Sequence, residues 1–95
     1  LTEKEVFQHF LAVASTTDLP LCIYSNPGKT NFTFRPELVA RLAAIPTVAA
    51  IKLPLPASGD IVSDLATFRQ AASSLSIGYS GDWGCRAALL AGADC

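Results

Sequence analysis

The chain has 95 residues, of which 51% are hydrophobic and 16% charged, with seven basic against eight acidic side chains and a net charge of −1. That is too apolar for a disordered chain and too neutral, without any basic cluster, for a nucleic-acid binder working by electrostatics. The aliphatic runs are four to eight residues long, well short of the roughly 20 needed to span a bilayer.

Thr2-Glu3-Lys4-Glu5 has the form of a capping box, and Val6, Phe7, Phe10, Leu11 and Ala14 follow it at helical spacing. Asp18 and Pro20 end that helix. Leu19 to Tyr24 is short, apolar and bounded by turn residues, so it reads as a buried strand. Ser25 to Thr30 reads as a loop. Pro36 opens the next helix, where its fixed φ and missing donor are tolerated, and Leu38, Val39, Leu42 and Ile45 form its apolar stripe. Pro46 stops it. Thr47 to Ile51 is a second strand ending at Lys52. Leu53 to Gly59 is a loop stiffened by Pro54 and Pro56. Asp60 caps a helix faced by Ile61, Leu65, Phe68 and Ala72, and Leu75 to Tyr79 is a third strand. Ser80-Gly81-Asp82 turns into a last helix over Trp83 to Leu90.

Strands alternating with helices predict a parallel α/β sheet with its strands apolar on both faces. Three strands cannot close a barrel, which takes eight in about 250 residues. The pattern is either a small open α/β sandwich or a fragment of a barrel. The chain starts without methionine and contains none, which suggests part of something longer. Three cysteines, Cys22, Cys85 and Cys95, lack the spacing of a disulfide scaffold, and Cys22 sits in an apolar run as a small hydrophobe. A reducing, cytoplasmic setting is the expectation.

Two polar side chains sit where parallel α/β folds place their ligands, at the carboxyl ends of strands. Lys52 follows Val48-Ala49-Ala50-Ile51. An ammonium buried there would lose solvation and free its amine to attack a carbonyl. The bland alternative is a lysine that snorkels to solvent. Tyr24 ends the preceding strand, where its hydroxyl can relay protons or merely tip a rim-packing ring. Asn26 to Thr30 lacks the Gly-rich loop of a Walker site, and Ser80 to Gly84 is not a nucleophile elbow. His9, the one histidine, has no paired ligands for a metal and reads as a helix-surface or subunit-contact residue. Trp83, Phe68, Phe7 and Phe10 read as packing residues.

Tyr24-Ser25-Asn26-Pro27-Gly28-Lys29-Thr30, with Ile51-Lys52 following 28 residues after Tyr24, resembles the dihydrodipicolinate synthase / N-acetylneuraminate lyase family. Leu38 to Ala43, Ile45-Pro46, Ser58-Gly59-Asp60, Ser80-Gly81-Asp82 and Gly92-Ala93 extend the likeness over the whole chain. The resemblance implies one part of a single (β/α)8 TIM-barrel catalytic domain, about strands five to seven. It implies a class I aldolase or lyase acting on pyruvate or a related 2-oxo acid, with an aldehyde or sugar acid as partner, and needing neither cofactor nor metal. Lys52 would be the Schiff-base lysine and Tyr24 the proton relay; Lys29, Ser80, Gly81 and Asp82 would bind substrate. The resemblance also implies a homodimer or homotetramer, with no nucleic-acid or membrane partner. The family's Gly-Thr-Thr segment and second tyrosine would lie upstream of Leu1, so this piece alone is expected to be inactive.

Three positions depart from the synthase pattern. Ser25 stands where asparagine is usual, Lys29 where arginine is usual, and Leu53 to Ala57 replaces a shorter acidic stretch. The competing expectation is a non-catalytic α/β binding module or an inactive relative. The enzyme reading requires the Tyr24 hydroxyl and the Lys52 amine to face one cavity, within a few ångströms of a common substrate atom; side chains on opposite faces of the sheet would defeat it.

Overall fold

A computed structural model describes all 95 residues. The capping box at the first helix is complete: Glu5 N–H donates to Thr2 Oγ1 at 3.1 Å, and Thr2 N–H donates to Glu5 Oε1 at 2.8 Å. It starts α1 (Glu3–Ala14), which buries Val6 and half-buries Phe7 and Phe10. Two orphan donors are thereby satisfied at the cost of two short side chains.

The strands are β1 (Leu21–Tyr24), β2 (Val48–Leu53) and β3 (Ser76–Tyr79), all parallel and adjacent in chain order. Between them run a one-turn helix α2 (Pro27–Thr30), α3 (Pro36–Ala43) and α4 (Ile61–Ala71). A 3₁₀ turn (Asp82–Gly84) and α5 (Cys85–Ala91) follow β3. Pro36 occupies the first helical position of α3, and Asp60 Oδ1 accepts from Ser63 N–H at 3.0 Å to cap α4. Arg35 grips Glu3 through two bonds of 2.7 and 2.8 Å, joining α1 to the start of α3. Both partners are partly exposed, so the pair contributes little to stability.

The register explains how the sheet is used. Ile23, Ile51 and Ile77 are partners across the three strands and are 0%, 1% and 0% exposed. Leu38, Val39, Leu42, Leu65 and Phe68 from α3 and α4 share their core cluster. Burying each of these side chains stabilises the fold by roughly 1.5–3 kcal/mol. The next row is Tyr24, Lys52 and Gly78, and the pleat turns it to the opposite face.

That face has no helix on it. α1 packs on α3, α3 on α4 and α4 on α5, a single layer in chain order. The expectation of strands covered on both faces is therefore corrected, and so is the open sandwich. Sequential strands joined by crossovers of one hand carry all helices to one side, as in a barrel wall. Cys22, expected in the core, is exposed for the same reason.

Several boundaries also differ from expectation. Ser25 to Thr30 is not all loop: Pro27 presets the first helical φ, and Asn26 C=O accepts from the N–H groups of Lys29 and Thr30. Asn31, in the left-handed region at φ 54°, ends that turn. β2 runs two residues further than expected, so Lys52 lies inside the strand. Trp83, expected to pack, is 86% exposed on the 3₁₀ turn.

The outer edge of β3 is partly occupied by the chain's own end. Asp94 N–H donates to Ile77 C=O at 2.8 Å, while Ile77 N–H donates to Asp94 Oδ2 at 2.8 Å. Arg69 Nη1 holds the same carboxylate at 2.7 Å. The Arg69 hydrogen bond, with that from Ile77, keeps the Asp94 carboxyl below its ordinary range. The outer edge of β1 has no such partner strand.

An open edge and a bare sheet face predict poor independent stability. Expressed alone, the 95 residues should elute as associated species and melt broadly by circular dichroism. A soluble monomer with a sharp cooperative melt would contradict the one-sided sheet as part of a larger barrel.

Candidate active site

Lys52 is the penultimate residue of β2 and Tyr24 the last of β1, and they are register partners. Adjacent parallel residues in register share a face, so the two side chains emerge together. Lys52 Nζ lies 4.7 Å from the centroid of the Tyr24 ring, a cation–π contact. The two side chains share a face, so the opposite-face arrangement that would defeat the enzyme reading is absent, but the groove beside Tyr24 does not take in Lys52. The lysine is not buried: Lys52 is exposed and Tyr24 is 53% exposed, because the face they share is uncovered.

The main chain around Lys52 is fully engaged. Its carbonyl accepts from Ser25 N–H at 2.9 Å. Leu53 C=O accepts from Ser80 N–H at 2.8 Å and from Ser80 Oγ at 3.2 Å. These bonds tie the ends of all three strands together. On the β3 side the register partner of Lys52 is Gly78, which carries no side chain. A Cβ at Gly78 would stand 2.5 Å from Cys95 Sγ, so the C-terminal residue lies over that position.

The remaining expected residues sit on the same rim. Lys29 is exposed in α2 and has no ion-pair partner. Ser80 spends its hydroxyl on Leu53 rather than presenting it freely. Gly81 has φ 103°, a conformation that disfavours any side chain. Asp82 is exposed at the start of the 3₁₀ turn. A groove of about 370 Å³ follows the outer side of β1, lined by His9, Phe10, Tyr24, Thr30, Phe32 and Phe34 among others. A second, also about 370 Å³, lies between Pro27, Phe34, Phe68 and the diproline loop. Lys52 lines neither. No three His, Cys, Asp or Glu side chains gather to hold a metal ion.

Ser25 and Tyr79, which the sequence puts at strand ends on the rim, take structural parts instead. Ser25 is buried and supplies the N–H that holds the Lys52 carbonyl. Tyr79, at the end of β3, is buried on the helix side, and its hydroxyl donates to Asp64 Oδ2 at 2.6 Å. Strand alternation could have placed Tyr79 on the helix side, since it is two residues beyond the core Ile77.

Burial, then the Asp64 hydrogen bond and charge, push the Tyr79 phenol above its ordinary value. An unfolded tyrosine titrates near 10, so this contribution is complete below about pH 10 and is lost as pH rises beyond it. Tyr79→Phe in the full-length protein should cost about 1–2 kcal/mol at neutral pH. It should also flatten the fall of stability above about pH 10. Denaturant melts of both proteins at pH 7 and across pH 9.5–11 check this; parallel alkaline slopes would contradict it.

The family model described as "Dihydrodipicolinate synthetase family" matches residues 1–95, the whole chain. The chain belongs to that family. It is 38% identical over 89 residues to 4-hydroxy-tetrahydrodipicolinate synthase of Leptothrix cholodnii, covering 94% of this chain and 29% of that one. Among solved structures, the dihydrodipicolinate synthase of Agrobacterium tumefaciens is 56% identical with a TM-score of 0.95, covering 99% of this chain and 32% of that one. The chloride-inhibited synthase of Acinetobacter baumannii, solved in complex with pyruvate, is 30% identical with a TM-score of 0.82, covering 99% of this chain and 31% of that one. The chain thus spans about a third of the length of these family members. Its three parallel strands and their helices superpose on the corresponding part of the synthase fold. No helix is long and apolar enough to cross a membrane.

Proposed function

We propose that the full-length protein carrying this segment is a class I lyase or synthase that forms a Schiff base with pyruvate or a related 2-oxo acid. The segment supplies strands five to seven of its (β/α)8 barrel, and the bare sheet face becomes the barrel interior. The observation that carries the reading is the Lys52–Tyr24 pair, side by side on that face at the carboxyl end of the strands. Membership of the synthase family supports it.

The Lys52 amine adds to the C2 carbonyl of the 2-oxo acid, and water leaves to give an iminium. Tyr24 hands a proton to the departing oxygen and recovers one afterwards. The iminium draws electrons from C3, whose proton passes to the Tyr24 oxygen to give an enamine. The enamine C3 then attacks an aldehyde, whose oxygen takes that proton from Tyr24 as the carbon–carbon bond forms, and water hydrolyses the iminium to release the product and Lys52. A lyase runs these steps in reverse. Because the iminium is the electron sink, no organic cofactor takes part.

Lys29, Gly81 and Asp82 form the rim that meets the second substrate. A lysine at position 29 offers a point charge where a guanidinium would clamp a carboxylate through two parallel bonds. The protein therefore selects its aldehyde less by a fixed terminal carboxylate. By family membership the working protein is a cytoplasmic homodimer or homotetramer, and the isolated segment, lacking the upstream carboxylate-binding strand, is inactive.

Incubation of the full-length protein with pyruvate and borohydride tests the chemistry, since hydride delivered to C2 converts the imine to a stable secondary amine. Peptide mapping should place the added three-carbon acid on Lys52. Its absence, or its location on Lys4 or Lys29, would overturn the assignment.

A further inference from the structure

The loop after Lys52 is locked to the loop after β3 by one side chain. Leu55 stands between Pro54 and Pro56 and is half-buried. Its Cδ1 lies 3.1 Å from where a Cβ on Gly81 would stand. At Gly84 the approach is closer: a Cβ there would clash with Leu55 Cδ1, would stand 2.8 Å from Cδ2 and would be 3.2 Å from Cγ. Separations under 3.0 Å require something to move, and here the atoms in the way are the tip of the Leu55 side chain. Gly84 itself has φ −107° and ψ −1°, a backbone that any residue adopts. Its small size answers to the leucine and not to the main chain.

We infer that Leu55 and Gly84 are positioning residues, a knob and its notch, that hold Lys52 at the angle imine formation requires. This rests on the Schiff-base reading above. Pro54 and Pro56 fix φ on both sides of Leu55, so the loop backbone has little slack and added bulk at Gly84 is met first by the Leu55 side-chain torsions. Leu53 C=O is the acceptor for both Ser80 N–H and Ser80 Oγ, and Ser80 leads directly into Gly81 and the notch. A displaced Leu55 therefore reaches Lys52, one residue before Leu53, from two directions. Reacting groups misplaced by about 1 Å can lose up to roughly 10²-fold in rate.

The test uses the full-length protein and a volume-conserving pair. Gly84→Ala adds one methyl to the notch; Leu55→Val removes one methylene from the knob; the double variant keeps the sum. The readout is the rate of pyruvate-dependent borohydride labelling at Lys52, with its final extent and the melting temperature measured alongside. Loss of fold alone lowers the final extent and the melting temperature, but not the rate at sites that remain folded. We expect labelling roughly tenfold slower in Gly84→Ala, slower also in Leu55→Val, with final extent unchanged, and recovery to within about twofold of native in the double variant. Native rates in the single variants, or a double variant as slow as Gly84→Ala, would overturn the inference. If Gly84→Ala does not fold, Leu55→Val decides: slowed labelling at full extent supports the device, and a native rate removes it. A native protein that is never labelled at Lys52 overturns the Schiff-base reading itself, a failure distinct from labelled variants that match the native rate.

Discussion

Lys52→Met in the full-length protein should abolish labelling by pyruvate and borohydride and lower turnover by at least about 10³-fold, as expected when a nucleophile acting as part of a catalytic unit is removed. Methionine matches the length of the aliphatic stem and lacks only the amine. Within these 95 residues Lys52 forms no ion pair, and its Nζ lies over the Tyr24 ring. Its removal therefore strands no partner charge in this segment, and the melting temperature should move little. Turnover, labelling and melting should be read on one preparation. Retained turnover with a native melt would assign the nucleophile elsewhere; a collapsed melt would make Lys52 structural.

Tyr24→Phe should slow turnover by roughly 10²–10⁴, the range for a lost acid–base group, while keeping the fold. The ring remains, so the cation–π contact with Lys52 remains too, and only the hydroxyl is deleted. That hydroxyl makes no hydrogen bond to another side chain or to the main chain, which separates it from Tyr79, whose hydroxyl is committed to Asp64. The two tyrosines end adjacent rows on opposite faces of the sheet. Tyr79→Phe is accordingly expected to act on stability and Tyr24→Phe on rate. A Tyr24→Phe protein with native turnover would return that ring to simple rim packing.

Much of this layout is legible in the amino-acid sequence, and the reasons are local. The capping box at Thr2 and Glu5, the proline at the start of α3 and the aspartate cap of α4 act within one helical turn, so residue spacing reveals them. Lys52 and Tyr24 stand out because each is a polar group closing an apolar run. What spacing does not reveal is which side of the sheet the helices occupy. Cys22, Ala49 and Ala50 are small and apolar, so β1 and β2 look fit for burial on both faces. The structure shows that only the helix-side face is covered, with Ile23, Ile51 and Ile77 at its centre and Val48, Leu53 and Tyr79 beside them.

Non-local contacts account for the other differences. Trp83 looks like a core residue by type, but the 3₁₀ turn that carries it is set by Gly81 at positive φ, and the indole is left in solvent. Ser80 looks like a free rim hydroxyl, yet its oxygen reaches back 27 positions to Leu53. Gly84 looks like an ordinary turn glycine until Leu55 is seen beside it. For Ser80 and Gly84 the deciding partner lies on another βα unit.

The most direct measurement is a crystal structure of the full-length protein soaked with pyruvate. The Schiff-base reading requires continuous density from Lys52 Nζ to the pyruvate C2, inside the barrel, with the Tyr24 hydroxyl about 2.6–3.2 Å from the C2 substituent or the carboxylate. Pyruvate bound without a covalent bond, or joined to a different lysine, with the Lys52 side chain turned away from Tyr24, would contradict it.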